Sequence, residues 1–204
     1  WKDCACPIII DAAGAFPLQK VSKDKNITTC FSLHATKFVG AGEGGFVASA
    51  DPDIIDRVRD MTTFGQYGTN GKMSEYAAAV ALASLDRTER KAERTAQVLN
   101  WYAQIFAAAA GLAVPKEVPV CYDTLLPIML PKPFSEVKPF FDAASIEVKQ
   151  WYMPFLHLRE EFKRSSAKPV ADHLAKHLIG LPFHNFLTEP DIDVICSVLE
   201  KALA

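Results

Sequence analysis

The sequence predicts an α/β protein whose C-terminal part is a smaller α+β unit, and three observations predict it. Short apolar or β-branched runs recur in the first fifty residues, each closing near a polar side chain or a glycine. Long segments of helical spacing then follow. After Gly111 the composition changes abruptly, with Pro115, Pro119, Pro127, Pro131, Pro133 and Pro139 punctuating short segments. Strand runs that feed helices argue for a sheet covered by helices, mainly parallel; the later short strands and helices argue for a separate compact unit. The two regions expected are 1–112 and 113–204.

Pro7 to Ile10 is continuous, apolar and short, as a buried parallel strand is. Gly14 to Lys25 mixes Pro17, Lys20 and Asp24 and reads as a loop. Asn26 to Leu33, rich in Thr, Ile, Cys and Phe, reads as a second strand, and Gly44 to Ser49 as a third. Asp51-Pro52-Asp53 is a helix start: a capping side chain, proline at the first position and an acid in the first turn. That helix should run to about Thr62. Gly65, Gly68 and Gly71 make 63–72 a specially shaped loop. Ser74-Glu75 opens an Ala-rich helix to about Leu85.

A further helix starts near Asp86. Arg87, Arg90, Lys91 and Arg94 form its polar side, and Val98, Leu99, Tyr102, Ile105 and Phe106 its apolar side. Gly111 is its expected end. Leu125 to Leu130 is a strand interrupted by Pro127, which confines it to an edge or a bulge. Phe134 to Ala144 reads as a helix, Glu147 to Tyr152 as a strand, and Pro169 to Ile179 and Glu189 to Leu203 as helices.

Composition excludes several classes of function. The 204 residues carry 22 basic and 24 acidic side chains, a net charge of −2, with no basic cluster of the kind that binds nucleic acid. Half of the residues are hydrophobic, enough for a core, yet no apolar run approaches a membrane span. Trp1-Lys2-Asp3 does not resemble a secretory leader. Cys4, Cys6, Cys30, Cys121 and Cys196 are odd in number and scattered, which argues for reduced thiols and a cytoplasmic protein rather than a disulfide framework. Cys4-Ala5-Cys6 lacks zinc-site spacing, and His173 and His177, four apart on a helix, have no His-Glu-x-x-His context. No metal site is expected. Asn26-Ile27-Thr28 matches a glycosylation sequon without a secretory context.

The chemistry-bearing residues sit at the ends of the strand runs. Asp11 closes the first run, and Ser32 lies near the end of the second. Lys37 follows in Phe31-Ser32-Leu33-His34-Ala35-Thr36-Lys37, ahead of Gly42-Glu43-Gly44-Gly45. An α/β sheet delivers ligand-binding groups at such points. A lysine, a hydroxyl and a carboxylate so arranged suit pyridoxal 5'-phosphate (PLP). The amine condenses with its aldehyde, the hydroxyl bonds its phosphate, and the carboxylate keeps its pyridine nitrogen protonated. Lys37 needs a lowered pKa for this, which apolar neighbours such as Phe31, Leu33, Phe38 and Val39 favour. The same residues alone also fit a surface lysine, a helix cap and a strand-end hydroxyl.

These motifs resemble the DegT/DnrJ/EryC1/StrS sugar aminotransferases, a family of PLP fold type I. Their pattern is a strand ending Asp-x-Ala, then Ser-[Phe/Leu]-His-x-[Thr/Ser]-Lys, then Gly-Glu-Gly-Gly. Gly68-Thr69-Asn70-Gly71-Lys72-Met73-Ser74-Glu75 is similar to the family's Gly-x-Asn-Tyr-Arg-Met-Ser-Glu. Trp151-Tyr152-Met153-Pro154-Phe155-Leu156-His157 is similar to its Tyr-Pro-Leu-His segment, and Leu181-Pro182-Phe183-His184 to its Leu-Pro segment. The resemblance implies a partial fold type I large domain over 1–112 and a small C-terminal domain over 113–204. It implies Lys37 as the covalent catalytic residue, with Asp11, Ser32 and Asn70 as cofactor ligands. Asn70 would reach from one subunit of a homodimer into the other's site. His157 would face the substrate, and His34 would support Lys37.

The substrate implied is a nucleotide-linked keto sugar, with glutamate as amino donor. Three departures stand out. Gly14 occupies the family's Gln or His position, Lys72 replaces its Arg, and the match begins midway through the family's large domain. The expectation is therefore the C-terminal portion of such an enzyme, or one piece of a split one. A fragment that holds no cofactor is the first rival. A PLP-dependent sugar dehydratase is the second, against which Lys37 argues, since those relatives carry histidine there.

Overall fold

The structure is a computed structural model that describes residues 4–64, 68–108, 124–150, 155–156, 159–162 and 169–204. It divides into two compact units, Trp1–Ala92 and Glu93–Ala204. The boundary expected at 112/113 lies outside the described residues. The division by packing falls earlier because the apolar side of the long helix, from Val98 on, belongs to the second core.

The first unit holds a three-stranded sheet in the order β1 (Ile8–Asp11), β2 (Ile27–Ser32) and β3 (Gly45–Ser49). β1 and β2 are parallel, with Ile8 opposite Ile27 and Asp11 opposite Cys30. β2 and β3 are antiparallel, from Thr28 opposite Ser49 to Ser32 opposite Gly45. The expected mainly parallel sheet is thus parallel in one of its two described pairings. The reason is the connection: residues 33–44 hold no helix, and a parallel return needs a longer crossover, usually helical.

On one face of this sheet Phe31 and Phe46 stack at 4.7 Å, and Phe16 meets their edges at 5.4 and 5.2 Å. Such offset and edge-on pairs add to the apolar burial itself. Thr29 Oγ1 is buried on this face without a partner among the described residues. α1 (Pro52–Thr62) starts as expected: Asp51 accepts from the Asp53 N–H at 3.1 Å, and Pro52 needs no donor there. α2 (Glu75–Leu85) is capped by Ser74, which accepts from the Ala77 N–H at 3.1 Å. α2 is apolar on every side and yet buries none of its residues; Tyr76 is 81% exposed and Leu82 65%.

α3 (Thr88–Ala108) carries the chain across the division. In the second unit β4 (Leu126–Met129), β5 (Lys149–Gln150) and β6 (Leu178–Leu181) form an antiparallel sheet in the order β4-β6-β5. β4 is an edge strand, as Pro127 requires. α4 (Phe134–Ala143), α5 (Pro169–His177) and α6 (Glu189–Leu203) surround it. Val98, Tyr102, Val137, Phe141, Ile179 and Leu199 are wholly buried in one core.

One expectation is corrected here. The helix from Pro169 ends at His177, not Ile179, and Leu178–Leu181 is the central strand of the sheet. No turn residue separates helix from strand, so the local pattern continues the helix. Pairing on both sides, to β4 and β5, decides otherwise. α6 begins where Asp191 accepts from both the N–H (2.8 Å) and the hydroxyl (2.6 Å) of Thr188.

Candidate functional site

Ladder partners project to the same side of a sheet, so the register assigns the faces. Asp11, Cys30 and Ser32 share one face with Val47, and the Thr28 and Ser49 hydroxyls meet on it at 3.4 Å. Asp11 and Ser32 close the parallel strands β1 and β2 at the same end. The structure therefore brings two of the candidate side chains to one edge of one face.

Asp11 is exposed, and its Oδ1 accepts from the Ala13 N–H at 3.0 Å, which orients the carboxylate. Beside it Gly14 leaves open space, with no atom within 4 Å of where a Cβ would stand. Ser32 Oγ accepts from the His34 N–H at 3.2 Å, so its own proton is left to donate.

Lys37 lies in the loop that joins β2 to β3, half-buried. The loop ties its own base: Leu33 N–H donates to the Gly44 carbonyl (2.9 Å), Ala35 N–H to Gly42 (2.7 Å) and Ala41 N–H to Leu33 (2.8 Å). Lys37 N–H donates to the His34 carbonyl at 2.9 Å. Leu33, Phe38, Val39 and Ala41 of the same loop are buried. Gly44 has φ 134°, and a Cβ there would stand 2.6 Å from Met73 Sδ; only glycine lets Met73 fill that space.

His34 is fixed rather than free. Its Nδ1 accepts from the Thr36 N–H (3.2 Å) and meets the Thr36 hydroxyl (2.9 Å), which assigns the ring proton to Nε2, 3.7 Å from Glu43 Oε1. Glu43 thus faces a histidine on the opposite limb of the loop.

Asn70 lies in the loop that follows α1. It is exposed beyond the end of α1, where Thr69 N–H donates to the Met61 carbonyl and Gly71 N–H to Thr62. A groove of about 710 Å³ runs between β3 and α1, with Cys30, Val47, Arg59, Lys72 and Met73 among its walls. His157 lies outside the described residues. In the second unit His173 and His177 have ring centroids 4.2 Å apart, with His177 Nδ1 bonded to the His173 carbonyl at 2.8 Å. Among the described residues no group of three His, Cys, Asp or Glu side chains is placed to hold a metal, and no helix is long and apolar enough to cross a membrane.

Sequence reasoning assigned Lys91 and Arg94 to the polar side of the helix. In the structure Lys91 reaches the carbonyl of Phe38, the residue after Lys37. Arg94 donates to the Asn185 (3.1 Å) and Leu187 (2.7 Å) carbonyls and lies over the Trp101 ring. The available signal was their position beside the apolar residues Ala92, Val98 and Trp101.

With this geometry in view, comparison with known proteins gives a consistent result. The family model described as "DegT/DnrJ/EryC1/StrS aminotransferase family" matches residues 2–200. GDP-perosamine synthase of Caulobacter vibrioides is 25% identical over 95% of this chain and 57% of its own length. The UDP-4-amino-4,6-dideoxy-N-acetyl-beta-L-altrosamine transaminase of Campylobacter jejuni is 25% identical, over 96% of this chain and 59% of its own. The crystal structure of a candidate PLP-dependent aminotransferase from Bacillus cereus superposes with a TM-score of 0.80 at 26% identity, covering 95% of this chain and 58% of that one. The chain thus spans a little over half the length of the relatives it matches.

Proposed function

The chain belongs to the DegT/DnrJ/EryC1/StrS aminotransferase family, and from that premise we propose that it supplies the lysine-bearing part of a PLP-dependent sugar aminotransferase. The observation that carries the reading is the delivery of Asp11 and Ser32 to one end of one sheet face, with Lys37 in the loop that leaves β2. The donor set fits the cofactor. Ser32 keeps a hydroxyl proton for an anionic oxygen, Asp11 is oriented by Ala13, and Gly14 leaves room beside it.

When bound, the cofactor supplies an electron-accepting ring that stabilises a carbanion. Asp11 would hold the proton on the pyridine nitrogen, and Ser32 would donate to the phosphate. Lys37 Nζ would be the attachment point for the aldehyde; once released, it would carry the proton from the amine carbon to the cofactor carbon and back. The substrate class proposed is a nucleotide-linked keto sugar, supported by the names of the GDP- and UDP-sugar relatives. Glutamate as donor and His157 at the sugar end follow from the family resemblance. The cytoplasmic setting is proposed from the odd number and scatter of the five cysteines.

The functional unit proposed is a homodimer in which Asn70 serves the partner subunit's phosphate. Its support is Asn70's exposed place in the loop after α1, together with the uncovered apolar surface of α2. A second reading has its own observation. β1 pairs on one side only among the described residues, and Ile9, on the Asp11 face, is 74% exposed. An apolar strand so uncovered also suits one half of a split enzyme that holds no cofactor without its complement.

Borohydride reduction separates the readings. A chain competent alone takes up PLP with a visible band that reduction removes, leaving pyridoxyl on Lys37, and Lys37→Ala abolishes the band with the fold intact. Mapping of the adduct to another lysine defeats the assignment. A colourless chain that takes up PLP only with a complementary half favours the split enzyme.

A further inference from the structure

We infer that Lys91 is a positioning residue for Lys37: from α3 it clamps both the backbone and the ring of Phe38 and so fixes the limb of the loop that carries the lysine. The inference rests on the assignment of Lys37 as attachment residue and goes beyond it. No family motif read in the sequence includes Lys91.

Four observations carry it. Lys91 Nζ donates to the Phe38 carbonyl, across a long stretch of chain and a different element. The same ammonium stands 4.7 Å from the Phe38 ring centroid, within the range of a cation–π contact. Phe38 is only 3% exposed, so its ring has little room to move. Lys91 is itself half-buried, and burial pulls its ammonium below the ordinary lysine range. A charge that has given up part of its hydration holds its place only through such charge-assisted contacts.

The position of the contact is what makes it functional. The base of the loop is tied by its own hydrogen bonds, at Leu33, Ala35 and Ala41. Those bonds set where the loop begins and ends, and a tie from a helix adds to them. Lys91 supplies that tie at the residue after Lys37. A side chain that must meet an aldehyde in one geometry loses rate steeply when its backbone wanders, and support from a packed helix limits that wandering.

The test uses the full chain as wild type, Lys91→Met and Lys91→Arg. Methionine keeps most of the apolar stem and removes the charge; arginine keeps charge and donors. Amide hydrogen exchange is measured at Lys37 and Ala41, with Cys30 and Phe31 in β2 as internal references. Reductive trapping of PLP on Lys37 is measured separately. In Lys91→Met, exchange at Lys37 and Ala41 should accelerate about tenfold or more while β2 is unchanged. The rate of trapping should fall by about the same factor, and Lys91→Arg should recover most of both.

Unchanged loop exchange in Lys91→Met overturns the inference whatever the cofactor does. Faster exchange with an undiminished trapping rate shows a merely structural tether and overturns the positioning role. A wild-type chain that traps nothing on Lys37 defeats the cofactor reading instead, and with it the role in attachment; the exchange data then still decide whether Lys91 holds the loop. If β2 also loses protection, Lys91→Met has unfolded. Phe38→Leu, which removes the ring contact and keeps the carbonyl, then reads the same clamp. Acceleration confined to the loop supports the inference, and no change refutes it.

Discussion

Gly45→Ala should damage the first unit, whereas Gly14→Ala should not, although both glycines flank the same site. A Cβ on Gly45 would stand 2.4 Å from the Phe31 carbonyl oxygen, a backbone atom of the neighbouring strand that cannot swing aside. The last pair of the β2–β3 ladder, Ser32 opposite Gly45, would have to open. Overpacking of this kind costs about 2 kcal/mol. With a urea dependence of about 2 kcal/mol per molar, the unfolding midpoint should fall by about 1 M. A Cβ on Gly14 meets nothing within 4 Å. There alanine only reduces the freedom of the unfolded chain, and the midpoint should stay or rise slightly. Urea titrations of the full chain followed by far-ultraviolet circular dichroism compare the two directly. A Gly45→Ala midpoint equal to wild type would refute the steric reasoning, as would an equal loss in Gly14→Ala.

Asp11→Asn should still bind PLP but lose most turnover, because a neutral amide cannot hold the ring nitrogen protonated; near-full transamination in that variant excludes the role. Tyr102 is wholly buried and donates to the Pro182 carbonyl at 2.7 Å. Tyr102→Phe should therefore cost about 1–3 kcal/mol in urea unfolding, and a neutral result would mean that the carbonyl finds another donor. Burial, with the Glu200 and Asp193 carboxylates adding to it, pushes the Cys196 thiol from 9.0 up to about 12. Its folded value lies above its unfolded one, so the stability it contributes is complete below pH 9.0 and is lost as the pH rises toward about 12. Cys196→Ala should flatten that alkaline decline, measured as midpoint against pH. Mixing Lys37→Ala with Asn70→Ala subunits, each with any complement it needs, should partly restore activity if the site is shared, since the hybrid dimer keeps one intact site; no recovery, or a monomer in sedimentation, rules sharing out.

Much of the first unit was legible in the sequence because its signals are local. Asp51-Pro52 starts α1 and Ser74 caps α2 through side chains that bond their own first turns. Pro127 placed β4 at an edge because a missing N–H has the same consequence in any sheet. What escaped depended on distant partners. Leu178–Leu181 is a strand only because β4 and β5 lie on either side of it. The direction of β3 follows from a connection without a helix, which strand propensity does not report. Asp11, Ser32 and Lys37 are proposed from their motifs, but that Asp11 and Ser32 share a face is a matter of register. Lys91 escaped because a lysine on a charged helix side looks solvated until its acceptor, the Phe38 carbonyl, is known.

The rung that pairs Ser32 with Gly45 gives the chain a form of self-inspection. A slip of one residue along β2 would turn the Ser32 hydroxyl to the aromatic side and push Phe31 out beside Asp11, away from Phe46 and Phe16. The faulty product would not be a quiet, inactive look-alike. It would display aromatic rings where water should be, the kind of surface that cellular chaperones and proteases act upon. Molecules that survive such triage are then, for the same physical reason, those in which the serine and the aspartate share one face of the sheet.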